Sequence, residues 1–331
     1  MAYRRRDTET AEEHAARLQA ILQLRDQAAE WEAERQERDA DGYAQSFEVE
    51  TEGSRGLEDA EAALVAQSVE KQSPMVLELL KGLQQCAVYT DTPNHETNRK
   101  LWDAYAGAWS SDVEWVQRMS GHVSRRPDDL KFVGDEWSDV ESLNEVLSEW
   151  IFPYVKSEIK AAEVGSGGGR IAAKVAPTVG SLVCFDVSER MLAKAKDTVV
   201  GQLGHQNVKF QLVQGDIAYP TEHDEQFDFV YSFDVFVHMD LHQMRHTLGC
   251  IHKMMRSGSL CFVSFANLLA PDGWRRFAKQ RNYTVGGFYF VSPDIALCLL
   301  RHIGFKVVKM SQPRESNTYL NRDLLVIAQK A

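Results

Sequence analysis

No stretch of this 331-residue sequence approaches the roughly 18 consecutive apolar residues that a membrane-crossing helix needs. A surplus of basic residues is missing too: 37 Lys and Arg stand against 48 Asp and Glu, for a net charge of −11. Nucleic-acid affinity rests on clustered cations, so a bulk phosphate-binding surface is not expected. Cysteine is sparse. The 5 thiols (Cys86, Cys184, Cys250, Cys261 and Cys298) are odd in number and never in Cys-x-x-Cys spacing, which points to buried reduced thiols in a reducing compartment. No apolar core follows Arg4-Arg5-Arg6, and acids come soon after. Neither a secretory signal nor an organelle transit peptide is read, and the expected location is cytoplasmic.

What is present divides unevenly. Residues 1–41 contain no Gly and no Pro. Pairs such as Glu13/Arg17 and Glu34/Arg38 have the i, i+4 orientation that favours helix. The apolar stripe (Leu18, Ile21, Leu22, Leu24, Trp31) is too thin for a coiled-coil seam. Residues 1–56 therefore read as a charged helical or partly disordered extension and linker. Residues 57–138 read as a helical region, with helices at 57–70 and 74–86, the second opened by Ser73-Pro74. Trp102, Tyr105 and Trp109 then fall at i, i+3 and i+7 on one helical face. They suit either core anchors on a sheet or a lid over a site. Residues 131–137, ending in Trp137, form a second candidate lid loop or, equally, a capped loop before the helix that Asp139 starts. Residues 139–331 read as one α/β domain.

That domain opens on Glu163-Val164-Gly165-Ser166-Gly167-Gly168-Gly169-Arg170. An apolar run ends in an acid and a glycine turn, and a helix-compatible segment follows. This strand–turn–helix unit is how nucleotide-binding α/β sheets begin. A dinucleotide fingerprint read from Gly165 is broken by Arg170, whereas a frame started at Gly167 accepts Ala172, so the glycines alone leave the nucleotide open. Residues 181–186 are a second apolar run. It ends in Asp186, at the roughly 20-residue distance where a carboxylate meets ribose hydroxyls. Residues 207–213 lead to Gln214-Gly215-Asp216-Ile217, residues 227–233 lead to Asp234, and residues 259–265 follow the turn Met255-Arg256-Ser257-Gly258. A helix at 293–303 is closed by Gly304, and strands at 305–310 and 323–329 flank a polar loop.

This order of motifs resembles the class I S-adenosylmethionine-dependent methyltransferases over about residues 143–331. The resemblance implies a Rossmann-like, doubly wound, seven-stranded sheet with its last strand antiparallel, and S-adenosyl-L-methionine as cofactor. It implies that Glu163, Gly165, Ser166, Gly167 and Gly169 cradle the methionine end and ribose. Asp186, with Val187 beside it, would hold the ribose, and Met191 would pack near the adenine. Asp216 and Ile217 would read the adenine, and Ser232, Phe233 and Asp234 would floor the site where substrate meets sulfonium. One departure is mild: Arg256-Ser257-Gly258 stands where Pro-Gly-Gly is usual.

Methyl transfer is an in-line displacement, so the protein mainly aligns the groups and excludes water. His238, just past the fourth strand, is the candidate general base, or else it orients the substrate. His238, His242 and His246 are spaced by four, but His238 should sit in the loop before the helix, so no metal site is expected. Tyr105, Trp109, Trp137, Asp234, His238 and Tyr289 are the candidate substrate contacts. Tyr289 belongs to an aromatic insertion at 271–291. The expected acceptor is a small molecule, methylated at oxygen or nitrogen. A protein or RNA acceptor, or a non-catalytic interaction protein of the same fold, is the alternative. The extension could serve a homo-oligomer or a partner.

Overall fold

A computed structural model of the protein describes residues 94–121, 130–213, 218–280 and 288–331. The extension expected over 1–56, the helices expected at 57–70 and 74–86, and Asp216 and Ile217 lie outside the described residues.

The strands are β1 Lys160–Val164, β2 Ser181–Asp186, β3 Val208–Leu212, β4 Phe227–Ser232, β5 Met255–Asn267, β6 Phe290–Val291, β7 Phe305–Met310 and β8 Asp323–Lys330. The helices are α1 Asn94–Ala108, α2 Glu114–Gly121, α3 Val140–Trp150, α4 Ala172–Val175, α5 Glu189–Lys196, α6 Leu241–Met254, α7 Pro271–Lys279 and α8 Pro293–Ile303. The sheet order is β3-β2-β1-β4-β5-β8-β7, with β6 pairing the end of β5. Strands β1 to β5 are parallel where they pair, and β8 runs antiparallel to both β5 and β7. The seven-strand path is the Rossmann-like sheet expected. The two-residue β6 has too little pattern to be read from sequence.

Each central strand is apolar on both faces because both faces are covered. Side chains alternate with a period of two. Thus Ala162, Val164, Val230, Val263 and Val326 pack with α6 and α8 through Met244, Leu248 and Leu300. Ala161, Leu182, Phe229, Phe262 and Ile327 pack on the other face with α3 and α4 through Leu143, Leu147, Trp150 and Val175.

Caps fix where the helices begin. Asp139, Ser188 and Asp240 each accept a backbone N–H three residues on, at 3.1, 3.1 and 2.8 Å, the usual N-cap geometry. Gly304 closes α8 in the left-handed conformation, φ 108°, as the sequence predicts.

The fifth strand differs from expectation. Met255–Gly258 is not a turn ahead of the strand. Met255 is buried and already pairs Phe227, and Phe229 pairs Leu260, so the intervening residues bulge out of the ladder. The bulge is held by the Arg256–Asp228 ion pair and by Ser259 Oγ donating to Arg256 O at 2.6 Å.

The chain leaves β1 outward on one side to β2 and β3, then crosses back to β4 on the other. The carboxyl ends of β1 and β4 therefore bound the crevice at the switch point, where open α/β sheets hold ligands.

Candidate active site

A cavity of about 650 Å³ opens at this switch point. Its first wall is the turn after β1. Gly165 N and Ser166 N both donate to Phe185 O, at 2.8 and 3.1 Å, which pins the turn to β2. Gly165 has φ +75°, and a Cβ there would stand 2.5 Å from Val235. Gly167 has φ +52°, and a Cβ there would meet nothing within 4 Å. Its bare backbone thus faces open space that a ligand can approach closely. The Ser166 hydroxyl is buried without a hydrogen-bond partner, a costly state unless a ligand completes it.

Two acids flank the turn. Asp186 Oδ2 accepts Gly167 N and Oδ1 accepts Ser188 N, both at 2.8 Å. Both oxygens keep acceptor capacity for hydroxyl donors. Burial pushes the Asp186 carboxyl up to about 6, against the pull of those backbone N–H groups. Glu163 is buried deeper. Desolvation pushes it up to about 8, opposed chiefly by Tyr231, whose hydroxyl donates at 3.2 Å. Arg170 also lines this wall. Among the described residues its guanidinium donates two long hydrogen bonds, 3.5 Å each, to Gly134 O and Tyr319 Oη.

The residues present fit the methyl donor that the motifs imply. A ribose diol matches the spare acceptors of Asp186. A zwitterionic amino-acid end matches an acid, Glu163, near an under-used guanidinium, Arg170. Val187 and Met191 also line the cavity, and Met191 is buried against Val133 and Ala106.

The roof comes from α1 and the loop before α3. Trp102 and Tyr105 line the cavity, as do Val133, Gly134 and Trp137. The Trp102, Tyr105 and Trp137 rings meet with centroids 5.1 to 6.3 Å apart. Beneath them Glu136 is fully buried and accepts from Tyr105 Oη at 2.5 Å, Trp109 Nε1 at 2.9 Å and Gly134 N at 2.9 Å. Burial, then the Glu136 charge, pushes the Tyr105 phenol far up. Helix α1 is tied down at two points along its length. Asp103 Oδ1 accepts Ser188 Oγ and Arg190 N at the start of α5, each at 3.0 Å. Asn98 Nδ2 donates to His238 O at 2.7 Å.

The far end is built after β4 and between β7 and β8. Asp234 adopts a left-handed conformation, φ 62°, uncommon outside glycine. Its N–H donates to Ser264 Oγ at 2.9 Å. Its carboxylate receives Arg322 Nη2 at 2.7 Å. Burial would raise the Asp234 carboxyl, but the nearby Arg322, His238 and Arg170 outweigh it and hold it below the ordinary range. The His238 ring stands between Trp102 and Phe288, with centroids 4.8 and 5.5 Å away.

Of the residues singled out from sequence, the cavity brings together Glu163, Gly165, Ser166, Gly167, Asp186, Val187, Met191, Phe233, Asp234, His238, Tyr105 and Trp137. Four others stand off the lining. The Gly169 Cα faces α5, where a Cβ would crowd Ala195 and Val199 at about 3 Å, so this glycine serves close helix packing. The Ser232 hydroxyl is buried and donates to Val164 O at 2.8 Å, tying β4 to β1. Trp109 donates its Nε1 to the buried Glu136, with Lys194 Nζ 5.4 Å from its ring centroid. The Tyr289 hydroxyl accepts from Asn94 at the foot of α1. His242 and His246 lie on α6, and His238 lies in the turn before it. No group of three metal-ligating side chains occurs among the described residues.

Phe288, from the aromatic insertion, lines the cavity, as do Arg170, to which the sequence assigns no ligand role, and Arg276, Tyr319 and Arg322, which it does not single out. The last two sit in the loop between β7 and β8, where Asn317 is fully buried. Asn317 Oδ1 accepts Tyr319 N and Leu320 N, and its Nδ2 donates to Ser142 O and Glu145 Oε2 on α3. The density of Asn, Arg and Asp in residues 317–323 was the available signal.

Residues 161–258 match a family model described as a methyltransferase domain. No curated protein matches the sequence. Among solved structures, the chain is similar to magnesium protoporphyrin IX methyltransferase from Synechocystis. That match has 14% identity over 72% of this chain and 97% of that one, with a TM-score of 0.49. It is also similar to the N-methyltransferase NodS from Bradyrhizobium japonicum, with 17% identity over 65% and 99% of the two chains and a TM-score of 0.45. A SAM-dependent methyltransferase from Aquifex aeolicus has 17% identity over 65% and 98%, with a TM-score of 0.44.

Proposed function

We propose that this chain is a class I S-adenosyl-L-methionine-dependent methyltransferase that methylates a small-molecule acceptor at oxygen or nitrogen, a reading supported by the methyltransferase-domain match over residues 161–258. One observation carries the reading: the same cavity is lined by the donor wall and by His238, Trp102 and Phe288. A small acceptor suits a chamber roofed by a pinned helix better than an extended polymer does. Among the described residues no helix is long and apolar enough to cross a membrane.

In this reading Asp186 accepts the ribose hydroxyls, Glu163 faces the ammonium of the donor's amino-acid end, and Arg170 faces its carboxylate. The bound donor supplies an already activated methyl carbon. The chain's own contribution is alignment and exclusion of water. Trp102, Tyr105 and Trp137 close the roof, and Phe233 and Asp234 form the floor. His238 Nδ1 or Nε2 takes the proton from an acceptor hydroxyl or ammonium, and Asp234 stabilises the imidazolium that forms. Residues 139–331 act as the transferase domain and 57–138 as the lid-bearing region.

The test is calorimetric titration of the full chain with S-adenosylhomocysteine, using NAD as control. Micromolar binding of the first alone supports the reading. Failure of both to bind would overturn it in favour of a non-catalytic interaction protein.

A further inference from the structure

A buried polar atom without a partner marks a place where the empty fold is incomplete. Among the described residues, the buried side-chain oxygens left without a hydrogen-bond partner include Ser166 Oγ and Gln243 Oε1, and both residues line the cavity. Ser166 lies in the turn after β1. Gln243 lies far from it in the chain, on the first turn of α6, where the Asp240 cap accepts its backbone N–H at 2.8 Å. The residue is 7% exposed. A carboxamide brings one acceptor oxygen and two N–H donors, and leaving the oxygen unpaired in a buried place costs stability. A Met or Leu would fill the same space without that cost. A ligand that completes the amide accounts for the polar side chain.

The neighbours of Gln243 say which part of a ligand it meets. The donor's amino-acid end is assigned to Glu163 and Arg170, and its ribose to Asp186. The base and the amino-acid chain leave opposite ends of that ribose, so the base extends past Asp186. The cavity lining there includes Val187, Val213, Tyr219 and Met239, which pack in one apolar cluster with α6. The Tyr219 ring meets that of Phe185, the residue before Asp186, with centroids 5.2 Å apart. Burial, then Cys250 and Asp186, push the Tyr219 phenol far up, so Tyr219 spans from Asp186 to the face of α6 that carries Cys250. Gln243 is seven residues before Cys250, two turns along the same face. Apolar walls suit the two faces of a purine, and Gln243 supplies the polar group for its edge.

We infer that Gln243 reads the edge of the donor's base, its Oε1 accepting from the 6-amino group of adenine and its Nε2 donating to a ring nitrogen flanking that group. An in-plane acceptor and donor on one amide match this edge bidentately. The inference rests on the methyl-transfer reading, which supplies adenine as the base. Gln243 touches no reacting atom, so it is a residue of donor specificity. It would act together with Asp216, which the resemblance assigns to the adenine and which lies outside the described residues.

The experiment titrates the full chain calorimetrically with S-adenosylhomocysteine and with its analogue carrying hydrogen in place of the 6-amino group. The native chain should bind the amino compound about tenfold more tightly or better. Gln243→Met removes the amide and keeps the length of the side chain. It should weaken S-adenosylhomocysteine about tenfold and shrink the preference for the amino compound at least about fivefold. Gln243→Leu should do the same with a shorter side chain, so that either variant suffices if the other fails to fold. The preference decides, because a general loss of packing weakens both ligands by one factor. The inference is overturned if the native chain shows no preference, or if the preference survives the loss of the amide within about twofold. Failure of S-adenosylhomocysteine to bind the native chain at all would overturn the methyl-transfer reading, and the assignment of Gln243 with it.

Discussion

The Tyr105 hydroxyl donates a 2.5 Å hydrogen bond to Glu136 Oε1, and Glu136 has no exposed surface. The roof of the cavity hangs on this bond, because the same carboxylate also receives Trp109 and the Gly134 amide. Tyr105→Phe removes one of three donors and keeps the ring. A buried carboxylate short of a donor costs about 1–3 kcal/mol. Urea unfolding should show a loss of that size, and stopped-flow release of S-adenosylhomocysteine should quicken several-fold. An unchanged release rate would mean that α1 does not close over the donor.

Glu163 and Asp186 set the pH behaviour. Both folded-state values are raised, to about 8 and about 6. Each group is therefore harmless to the folded chain while protonated and costs stability once it must ionise in place. For Glu163 the stability is fully present below about 4.5 and is lost as pH rises through about 8. Glu163→Gln should remove that loss. The variant's stability relative to the native chain should rise between pH 4.5 and 8, by more than about 1 kcal/mol. Parallel curves for the two proteins would show that Glu163 is already ionised in the empty site.

Asp186 is held by two backbone amides and offers its remaining lone pairs to the cavity. Asp186→Ala should weaken S-adenosylhomocysteine binding tenfold or more, about 1.4 kcal/mol, since buried ribose hydroxyls would lose their acceptor. Unchanged affinity by calorimetry would remove β2 from the donor site.

The parts of this fold legible in sequence are those fixed by short-range physics. Burial on both faces of β1, β2 and β4 leaves continuous apolar runs, and Gly165 and Gly167 mark a turn whose positive φ values favour glycine. The cap residue Asp139 announces its helix. Other features depend on neighbours distant in the chain. Glu136 belongs to the candidate lid loop, and nothing in its neighbourhood in sequence shows that Tyr105 and Trp109 donate to it. Gly169 reads as part of the ligand cradle, yet its space is taken by Ala195 and Val199. Arg322 stands in a polar loop whose inward course is set by Asn317 bonding α3, some 170 residues away in sequence.

Arg322 provides the sharpest test of that loop. Its guanidinium pairs with Asp234 and with Asp323, whose side chain has no exposed surface. Arg322→Gln would leave two carboxylates facing one another without their shared cation. Breaking a buried pair from one side costs about 3–5 kcal/mol, much of it the penalty of the stranded charge. Asp323 is pushed up to about 6 by burial even with Arg322 beside it. Without the arginine it should rise further, so the variant should recover stability as pH falls through the range in which Asp323 takes up a proton. Asp234 is held low now because Arg322, His238 and Arg170 outweigh its burial, and the variant removes the largest of those supports. Denaturant unfolding of both proteins at pH 5 and pH 8 reads the difference. The deficit should be larger at pH 8, and an equal deficit at both values would show that the ion pair contributes packing alone.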